Sequence, residues 1–313
     1  MKKVLLVFSY KKNKLGDYDS LTNVLNADKE ERGYEFIRGA LKEFEYTVTD
    51  GELKVIDLMN NRDIANYDLI FFRMWFKEYE RATAAAAYLE KKGVPFFDPE
   101  VYNYRAFSKL TETSLMATAG IPVPDTLFAT PKNILKAFTE DRANISFPII
   151  LKSVKGIKGN DNYLVKDLAE LKKTIEDNPD IDFIAQEYIP NDSDYRLWVV
   201  GDKVRFAMRR VRDENSGSHL NNTSKGAIAD LVDVDSVDEE IKKQAVLAAQ
   251  RMKRGFTGVD VIIDKDTGKH YFLELNNQPE ILGVHIDDKL EALHEYIAEE
   301  INAPAVTGKQ IKD

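Results

Sequence analysis

The first apolar run of the chain, residues 3–9 (KVLLVFS), is continuous rather than alternating. That is the pattern of a strand buried on both faces of a parallel sheet. Residues 10–28 are polar and rich in Gly, Asp and Asn, and read as a long loop. Tyr34, Ile37, Leu41 and Phe44 recur at helical spacing and predict a helix over 29–45. Apolar runs at 53–58, 68–73 and 94–97 predict further strands, with a helix over 77–91 before the last. Strands alternating with helices point to a parallel α/β sheet.

Beyond residue 102 the pattern changes. A helix over 103–119 stops at Gly120 and the IPVP turn. A short strand (TLFA), a helix near 132–140, a strand at 148–153 (PIILKS), a Gly-bearing loop at 154–162, a helix at 168–177 and a strand at 183–188 (FIAQEY) follow. The remainder carries hairpin signals. YRLWVV and KVRFAMRRV flank Gly201-Asp202, a two-residue turn pattern. Ser236 and Glu239 form a capping-box pattern for a helix over 237–254, with Gly255 as its stop. GVDVIIDKDTGKHYFLEL reads as a second hairpin. A final amphipathic helix over 290–301 buries Leu290, Leu293, Ile297 and Ile301. Three units are expected, over 1–102, 103–190 and 191–313.

The second hairpin carries the first chemistry. Asp266-Thr267-Gly268 suits a three-residue turn with glycine in the left-handed position. That register pairs Asp264 with His270, Ile262 with Phe272 and Asp260 with Glu274, so Asp260, Glu274 and Asn276 share one face. Two carboxylates directly opposite repel, and something cationic belongs between them. Three oxygen donors without His or Cys suit a hard cation. Mg2+ takes one or two carboxylates and completes its shell with water and phosphate oxygens. Lys152 ends the strand PIILK and precedes Gly156 and Gly159, where backbone N–H groups can approach phosphates. This loop matches neither the GxxxxGK[ST] nor the GxGxxG pattern. The strand end Gln186-Glu187-Tyr188-Ile189 can offer backbone to an adenine edge, with Asp194 five residues beyond within reach of a ribose hydroxyl.

Composition narrows the classes. The 313 residues are 43% hydrophobic, enough for a sizeable core. A net charge of −9 disfavours a nucleic-acid partner. The absence of cysteine excludes disulfides, thiolate metal sites and cysteine nucleophiles. The apolar run in MKKVLLVFSYKK is too short for a secretory signal or a membrane span, so a soluble cytoplasmic protein with no membrane partner is expected. His219, His270, His285 and His294 are scattered and form no zinc spacing.

Taken in order from about Tyr67 to about Gly283, these pieces resemble the ATP-grasp carboxylate–amine ligases, and most closely their RimK-like branch, which adds glutamate to a protein or peptide carboxylate. FFR followed by GVPFFDPE places Arg73 where the family has a strand-end arginine. YRAFSKL…AGIPVP matches Arg105 and Lys109, with Ser108 in place of the family's Asp. DYRLWVVGDKV matches the family's Asp-x-Arg and hairpin at Asp194 and Arg196, and Arg210 lies in FAMRRV. Asn222 fits the family's Arg-Ser-Asn, but the arginine is absent there, leaving His219 or Lys225 as stand-ins. GVD…ExN matches Asp260, Glu274 and Asn276, and Pro279 closes the motif.

The resemblance implies an ATP-grasp fold, α/β and α+β, behind an N-terminal parallel α/β domain. It implies that a substrate carboxylate is activated by ATP as an acylphosphate and captured by an amine. The implied cofactors are ATP and two Mg2+ ions, with Mn2+ able to substitute. Asp260, Glu274 and Asn276 would hold the metal. Lys109, Lys152, Gly156, Gly159, Gln186, Glu187, Tyr188, Ile189, Asp194 and Asn222 would hold the nucleotide, with Lys152 and Arg210 acting on the phosphoryl group. Arg73 and Arg196 would meet the substrate, an amino acid, peptide or protein tail. Arg196, Arg209, Arg212 and Lys225 together would form a basic groove for an acidic peptide. Relatives imply a homodimer or homotetramer. A small-molecule kinase on the same scaffold and a non-catalytic nucleotide-binding module remain alternatives.

Overall fold

The computed structural model describes residues 1–10, 17–49, 52–97, 99–101, 108–154, 161–211, 228–277 and 279–302. The chain opens with β1 (Lys2–Phe8), a helix α1 (Asp17–Leu25), a single helical turn α2 (Lys29–Arg32) and β2 (Tyr34–Ala40). The helix expected over 29–45 is therefore mostly strand. Gly33, at φ 76°, takes the left-handed conformation that closes α2, and the chain leaves it extended. Tyr34 and Phe36 then alternate inward while β2 pairs in parallel with β1, from Lys2↔Tyr34 to Phe8↔Ala40. The helical spacing of the apolar residues was accidental, and pairing with a neighbouring strand decided the conformation. The region read as loop over 10–28 also contains α1, whose Leu21 and Leu25, one turn apart, are buried, and whose Tyr18 stacks on Phe8 at 3.7 Å.

β3 (Phe44–Thr49), β4 (Glu52–Asp57) and β5 (Arg62–Asp63) form a separate antiparallel sheet. The run at 53–58 thus lies outside the parallel sheet that its alternation with helices implied. After these come β6 (Leu69–Phe72), α3 (Tyr79–Lys92) and β7 (Phe96–Phe97). The parallel sheet has the order β2-β1-β6-β7. Its β1 is buried on both faces, as the unbroken apolar run requires. Leu5 and Val7 pack with Ala82, Ala85, Ala86 and Leu89 of α3. Val4, Leu6 and Phe8 face the opposite way. The order reverses between β1 and β6, and in open α/β sheets ligands bind beyond the carboxyl ends of the strands at such a point.

Next come α4 (Lys109–Thr118), β8 (Thr126–Phe128), α5 (Pro131–Thr139), β9 (Ile149–Ser153), β10 (Asn162–Val165), α6 (Leu168–Asp177) and β11 (Phe183–Glu187). The four strands form an antiparallel sheet, β10-β9-β11-β8, packed on α5 and α6 through Ile134, Leu171, Ile149, Leu151 and Phe183. Then β12 (Ser193–Val200), β13 (Lys203–Val211), β14 (Ile228–Val232), α7 (Glu239–Met252), β15 (Phe256–Ile263), β16 (His270–Asn276) and α8 (Ile286–Asn302) complete the chain. Their five strands form the sheet β14-β13-β12-β15-β16.

Both ends of α7 differ from expectation. Asp238 is the N-cap, accepting from the amides of Glu240 and Ile241, while the Ser236 hydroxyl donates to the Asp233 carbonyl. Lys253, at φ 56°, takes the C-cap position expected of Gly255. The second hairpin is also longer at its turn and carries a bulge. Ile263 pairs with His270, Ile262 with Tyr271 and Val261 with Phe272, yet Asp260 still pairs with Glu274. The bulge absorbs Leu273, which sends Phe272 into the core beneath α7 and leaves Glu274 on the other face.

One apolar cluster joins the two ends of the chain. Val4, Leu6, Phe71 and Phe97 of the parallel sheet meet Trp198, Phe206 and Phe256 of the five-stranded sheet, with Leu293, Ile297 and Ile301 of α8. Helix α8 is held further by a 2.6 Å hydrogen bond between the Tyr34 hydroxyl and His294 Nδ1. Among the described residues, no helix is long and apolar enough to cross a membrane.

Burial, aided by the Arg32 charge, pushes the His294 imidazole down to about 4, so it sits neutral in the fold. Between that value and the ordinary 6.5 the unfolded chain binds more protons, so stability is complete above about 6.5 and falls as pH drops towards 4. The expected loss is at most about 3 kcal/mol across that window. Urea midpoints measured from pH 7 to pH 4 should show this slope, and His294→Leu should remove it.

Candidate active site

Strand alternation assembles the site. In β12 the register sets Asp194 opposite Arg210 of β13, and Arg196 opposite Asp260 of β15. Asp260 in turn faces Glu274, and Gly258 faces Asn276. Asp194, Arg196, Arg210, Asp260, Glu274 and Asn276 therefore project from one face of the sheet. Leu197, Val199, Val259 and Leu275 project from the other, into the core shared with Ala245, Ala248 and Ala249 of α7 and Met116 of α4.

Asp260 is the centre of charge. Arg196 donates to both its oxygens, Nε to Oδ1 and Nη2 to Oδ2, each at 2.7 Å. Arg210 Nη2 donates to Oδ2 at 2.9 Å. Arg210 also forks onto Asp194, with bonds of 2.6 and 2.9 Å. All but Arg196 are buried: Arg210 is 2% exposed, Asp260 4% and Asp194 5%. Burial alone would raise the Asp260 carboxyl, but Arg196 and Arg210 hold it below the ordinary carboxylate range. Burial pushes Asp194 up to about 6, because the Arg210 pull on it is opposed by neighbouring Asp260. Arg210 is held firmly protonated: the two aspartates outweigh burial. The cation expected between Asp260 and Glu274 is thus present as protein groups, two guanidiniums on Asp260 and the Lys109 ammonium 3.8 Å from Glu274.

The donors facing each other here are two carboxylates and an amide, all oxygen. Glu274 is only loosely paired, with its side chain 34% exposed. Among the described residues no cluster of three or more His, Asp or Glu forms a closed metal cage. A two-carboxylate set fits a hard cation whose shell is completed by water and phosphate oxygens. Coordination by Asp260 would require Arg196 to share or give up one carboxylate oxygen.

Lys152, in β9, is 6% exposed, and its Nζ donates to Gln186 Oε1 of β11 at 2.8 Å. Gln186 Nε2 donates onward to Thr126 at 3.0 Å. Burial, reinforced by Lys109 and opposed by Glu274 and Glu112, lowers the Lys152 ammonium to about 8. Glu187 ends β11, with its amide donating to the Asp125 carbonyl at 2.8 Å; Tyr188 follows, and Ile189 is buried. Arg73 lies just beyond β6, buried, with Nη2 3.3 Å from the Pro279 carbonyl, so the end of the parallel sheet touches the segment after β16. Arg209 does not join this face. It alternates to the other side of β13, where it donates to Ser193. Arg105, Gly156, Gly159, Arg212, His219, Asn222 and Lys225 lie outside the described residues.

A clamp that the sequence pattern does not announce lies beneath β16. Arg254, 4% exposed, donates to the Leu275 carbonyl at 2.7 Å, to Glu112 at 3.1 Å and to Glu100 at 3.2 Å. Leu275 sits between Glu274 and Asn276, so this bond sets the peptide that aims both. A faint signal existed: Glu112 lies three residues after Lys109, on the same helix face.

Two antiparallel sheets beside a parallel one, with charged side chains gathered on one face of the five-stranded sheet, make the architecture of an ATP-grasp enzyme. Residues 106–301 match the RimK-like ATP-grasp domain, and the chain belongs to that family. It is 29% identical over 228 residues to "Probable alpha-L-glutamate ligase" of Alkalilimnicola ehrlichii, covering 71% of this chain and 72% of that protein. It is 27% identical over 246 residues to "Alpha-aminoadipate--LysW ligase LysX" of Saccharolobus solfataricus, covering 76% and 86%. The fold is that of the ATP-grasp ligase PsnB, solved with a phosphomimetic precursor variant, Mg and ADP, with a TM-score of 0.68 at 18% identity over 96% of this chain and 99% of that one. The chain is accordingly an ATP-dependent carboxylate–amine ligase.

Two outcomes test this geometry. If nucleotide phosphates meet Lys152, as the resemblance implies, they should restore its proton, so Mg-ADP binding near pH 8.5 should take up roughly half a proton or more. Calorimetry in buffers of different ionisation enthalpy measures this, and Lys152→Met should abolish the uptake. Arg254→Met leaves Glu100 and Glu112 buried without their cation, which should cost about 3–5 kcal/mol in denaturant unfolding.

Proposed function

We propose that this ligase joins an amino group to the carboxylate of an amino acid or a peptide tail through an acylphosphate. The observation that carries the reading is the single sheet face on which Asp260, Glu274 and Asn276 stand among Arg196, Arg210 and Lys109. The names of the relatives, ligases for glutamate and for α-aminoadipate on a carrier protein, support an amino-acid or peptide acceptor.

In the first step a substrate carboxylate oxygen attacks the γ-phosphorus of ATP and the bond to the β-phosphate bridging oxygen breaks, releasing ADP. In the second an amine nitrogen attacks the acyl carbon, phosphate leaves with the C–O electron pair, and the ammonium proton passes to water. No protein nucleophile is required, so positioning and charge carry catalysis. Lys109 and Lys152 neutralise the nucleotide phosphates. Arg210, whose fork Asp194 and Asp260 hold, acts on the phosphoryl group in flight. Gln186 to Ile189 face the base, with Asp194 on the ribose side. Gly156, Gly159 and Asn222, which lie outside the described residues, are assigned to the phosphates by the family resemblance. Asp260, Glu274 and Asn276 would hold two Mg2+ ions, which when bound neutralise the β- and γ-phosphate oxygens; Mn2+ has the same oxygen preference. Arg73, at the strand-order reversal, and Arg196 take the substrate carboxylate.

The decisive experiment incubates the purified chain with Mg-ATP and paired amino acids or peptides, following phosphate release and product mass. Phosphate should appear only when a carboxylate and an amine are both present, with a product lighter than their sum by one water. Stable transfer of phosphate to a hydroxyl would overturn the reading. Glu274→Gln should fold normally, because the side chain is one-third exposed, and should raise the Mg2+ needed for half-maximal activity about tenfold or more.

A further inference from the structure

Lys289 lies in the first turn of α8, after two exposed aspartates, yet it is 2% exposed. Its place in the stripe Ile286, Lys289, Leu293, Ile297 turns it inward. The ammonium stands 5.5 Å from the Trp198 ring and 5.9 Å from the Phe206 ring. Among the described residues no acceptor and no carboxylate lies within hydrogen-bond or ion-pair distance of it. Glu280, itself exposed, is the acid whose charge favours the ammonium, and Arg196 is the cation whose charge opposes it. The side chain is enclosed while its ammonium keeps a trace of solvent contact and no anion beside it among the described residues, an arrangement that needs a reason.

Its surroundings supply one. Trp198 is two residues beyond Arg196 on the same face of β12. Gly258, opposite Trp198, has no side chain where one would meet Pro279 at 3.4 Å and Arg196 at 3.5 Å. Arg73 reaches the Pro279 carbonyl and stands 5.5 Å over the Phe256 ring, which packs edge-on against Trp198 at 5.0 Å. Three cations from three separate elements thus surround the Trp198–Phe256–Pro279 surface, beside the row that holds Asp260 and Glu274. Arg196 is matched by Asp260; among the described residues no anion matches Lys289.

We propose that Lys289 is a specificity-determining residue, binding a substrate carboxylate other than the activated one that Arg73 and Arg196 take. This rests on the ligase reading above and adds the class of substrate: one that carries a second carboxylate, as a free amino acid or as an acidic side chain in a peptide. The lowered affinity of the buried Lys289 ammonium for its proton, caused first by burial, agrees with a cation awaiting an anion.

The test uses the full chain with saturating Mg-ADP and reads binding by thermal shift. The ligands are L-glutamate against L-glutamine, and a glutamate-containing tripeptide against its glutamine counterpart. In the wild type, one charged member should bind about tenfold or more tighter than its neutral isostere, and which pair shows this identifies free amino acid or peptide as the source. Lys289→Met should erase the preference while leaving the ADP shift intact and the unliganded melting temperature equal or higher; Lys289→Arg should keep most of it. The proposal is overturned if the wild type fails to discriminate within either pair, or if Lys289→Met retains the preference. A lower melting temperature with the preference unchanged also overturns it and makes the ammonium a structural contact on Trp198. Absence of any ADP shift in the wild type would instead strike the nucleotide-dependent reading itself.

Discussion

A carboxylate with almost no access to water must be paired, and Asp260 meets that requirement with three hydrogen bonds from two guanidiniums. The rest of the site follows from it. Arg196 and Arg210 must stand on the flanking strands at the matching register positions. Arg210, with more donors than Asp260 can accept, recruits Asp194. The outcome is a charge lattice across three strands, in which removing one member exposes the others to an uncompensated buried charge. The same lattice keeps Arg210 in a fixed orientation before any substrate arrives, which is the preorganisation that electrostatic catalysis needs.

Around this lattice the fold provides rigidity at the right points. Arg254 grips the peptide between Glu274 and Asn276 from below, while Arg73 touches Pro279 just past the end of the same strand. Helix α8 fills the space between the parallel and five-stranded sheets with Leu293, Ile297 and Ile301. Because that core is shared, the carboxyl ends of β1 and β6 are held against the segment after β16 by packing rather than only tethered to it.

The opposition of Asp260 and Glu274 was legible in the chain because alternation and a recognisable turn both pointed to it, and the family's order of motifs agreed. The bulge at Leu273 was not, since nothing local distinguishes a residue that pairs from one that is skipped. The segment 29–45 misled for a similar reason: Tyr34, Ile37, Leu41 and Phe44 satisfy a helical period, and only β1 alongside makes the extended conformation better. Asp238 displaced Ser236 as the cap of α7 because the chain entered the helix two residues later than its capping-box pattern implied. Lys289 was readable in principle, as a lysine inside an apolar stripe, but a stripe does not say what lies opposite it.

What the amino-acid order determined by itself was the chemical inventory and its alternation: oxygen donors without sulfur or imidazole, a lysine at a strand end, and an acid and an amide spaced two apart on one face. These are properties of neighbours along the chain, and a two-residue period needs no partner to be expressed. Only the tertiary structure decided which charge met which, because Asp260 is 64 positions from Arg196, 50 from Arg210 and on a different strand from both. It left Arg196 answering Asp260 and Lys289 facing an aromatic surface, since the energy of a buried charge depends on distances that close only when the sheets pack.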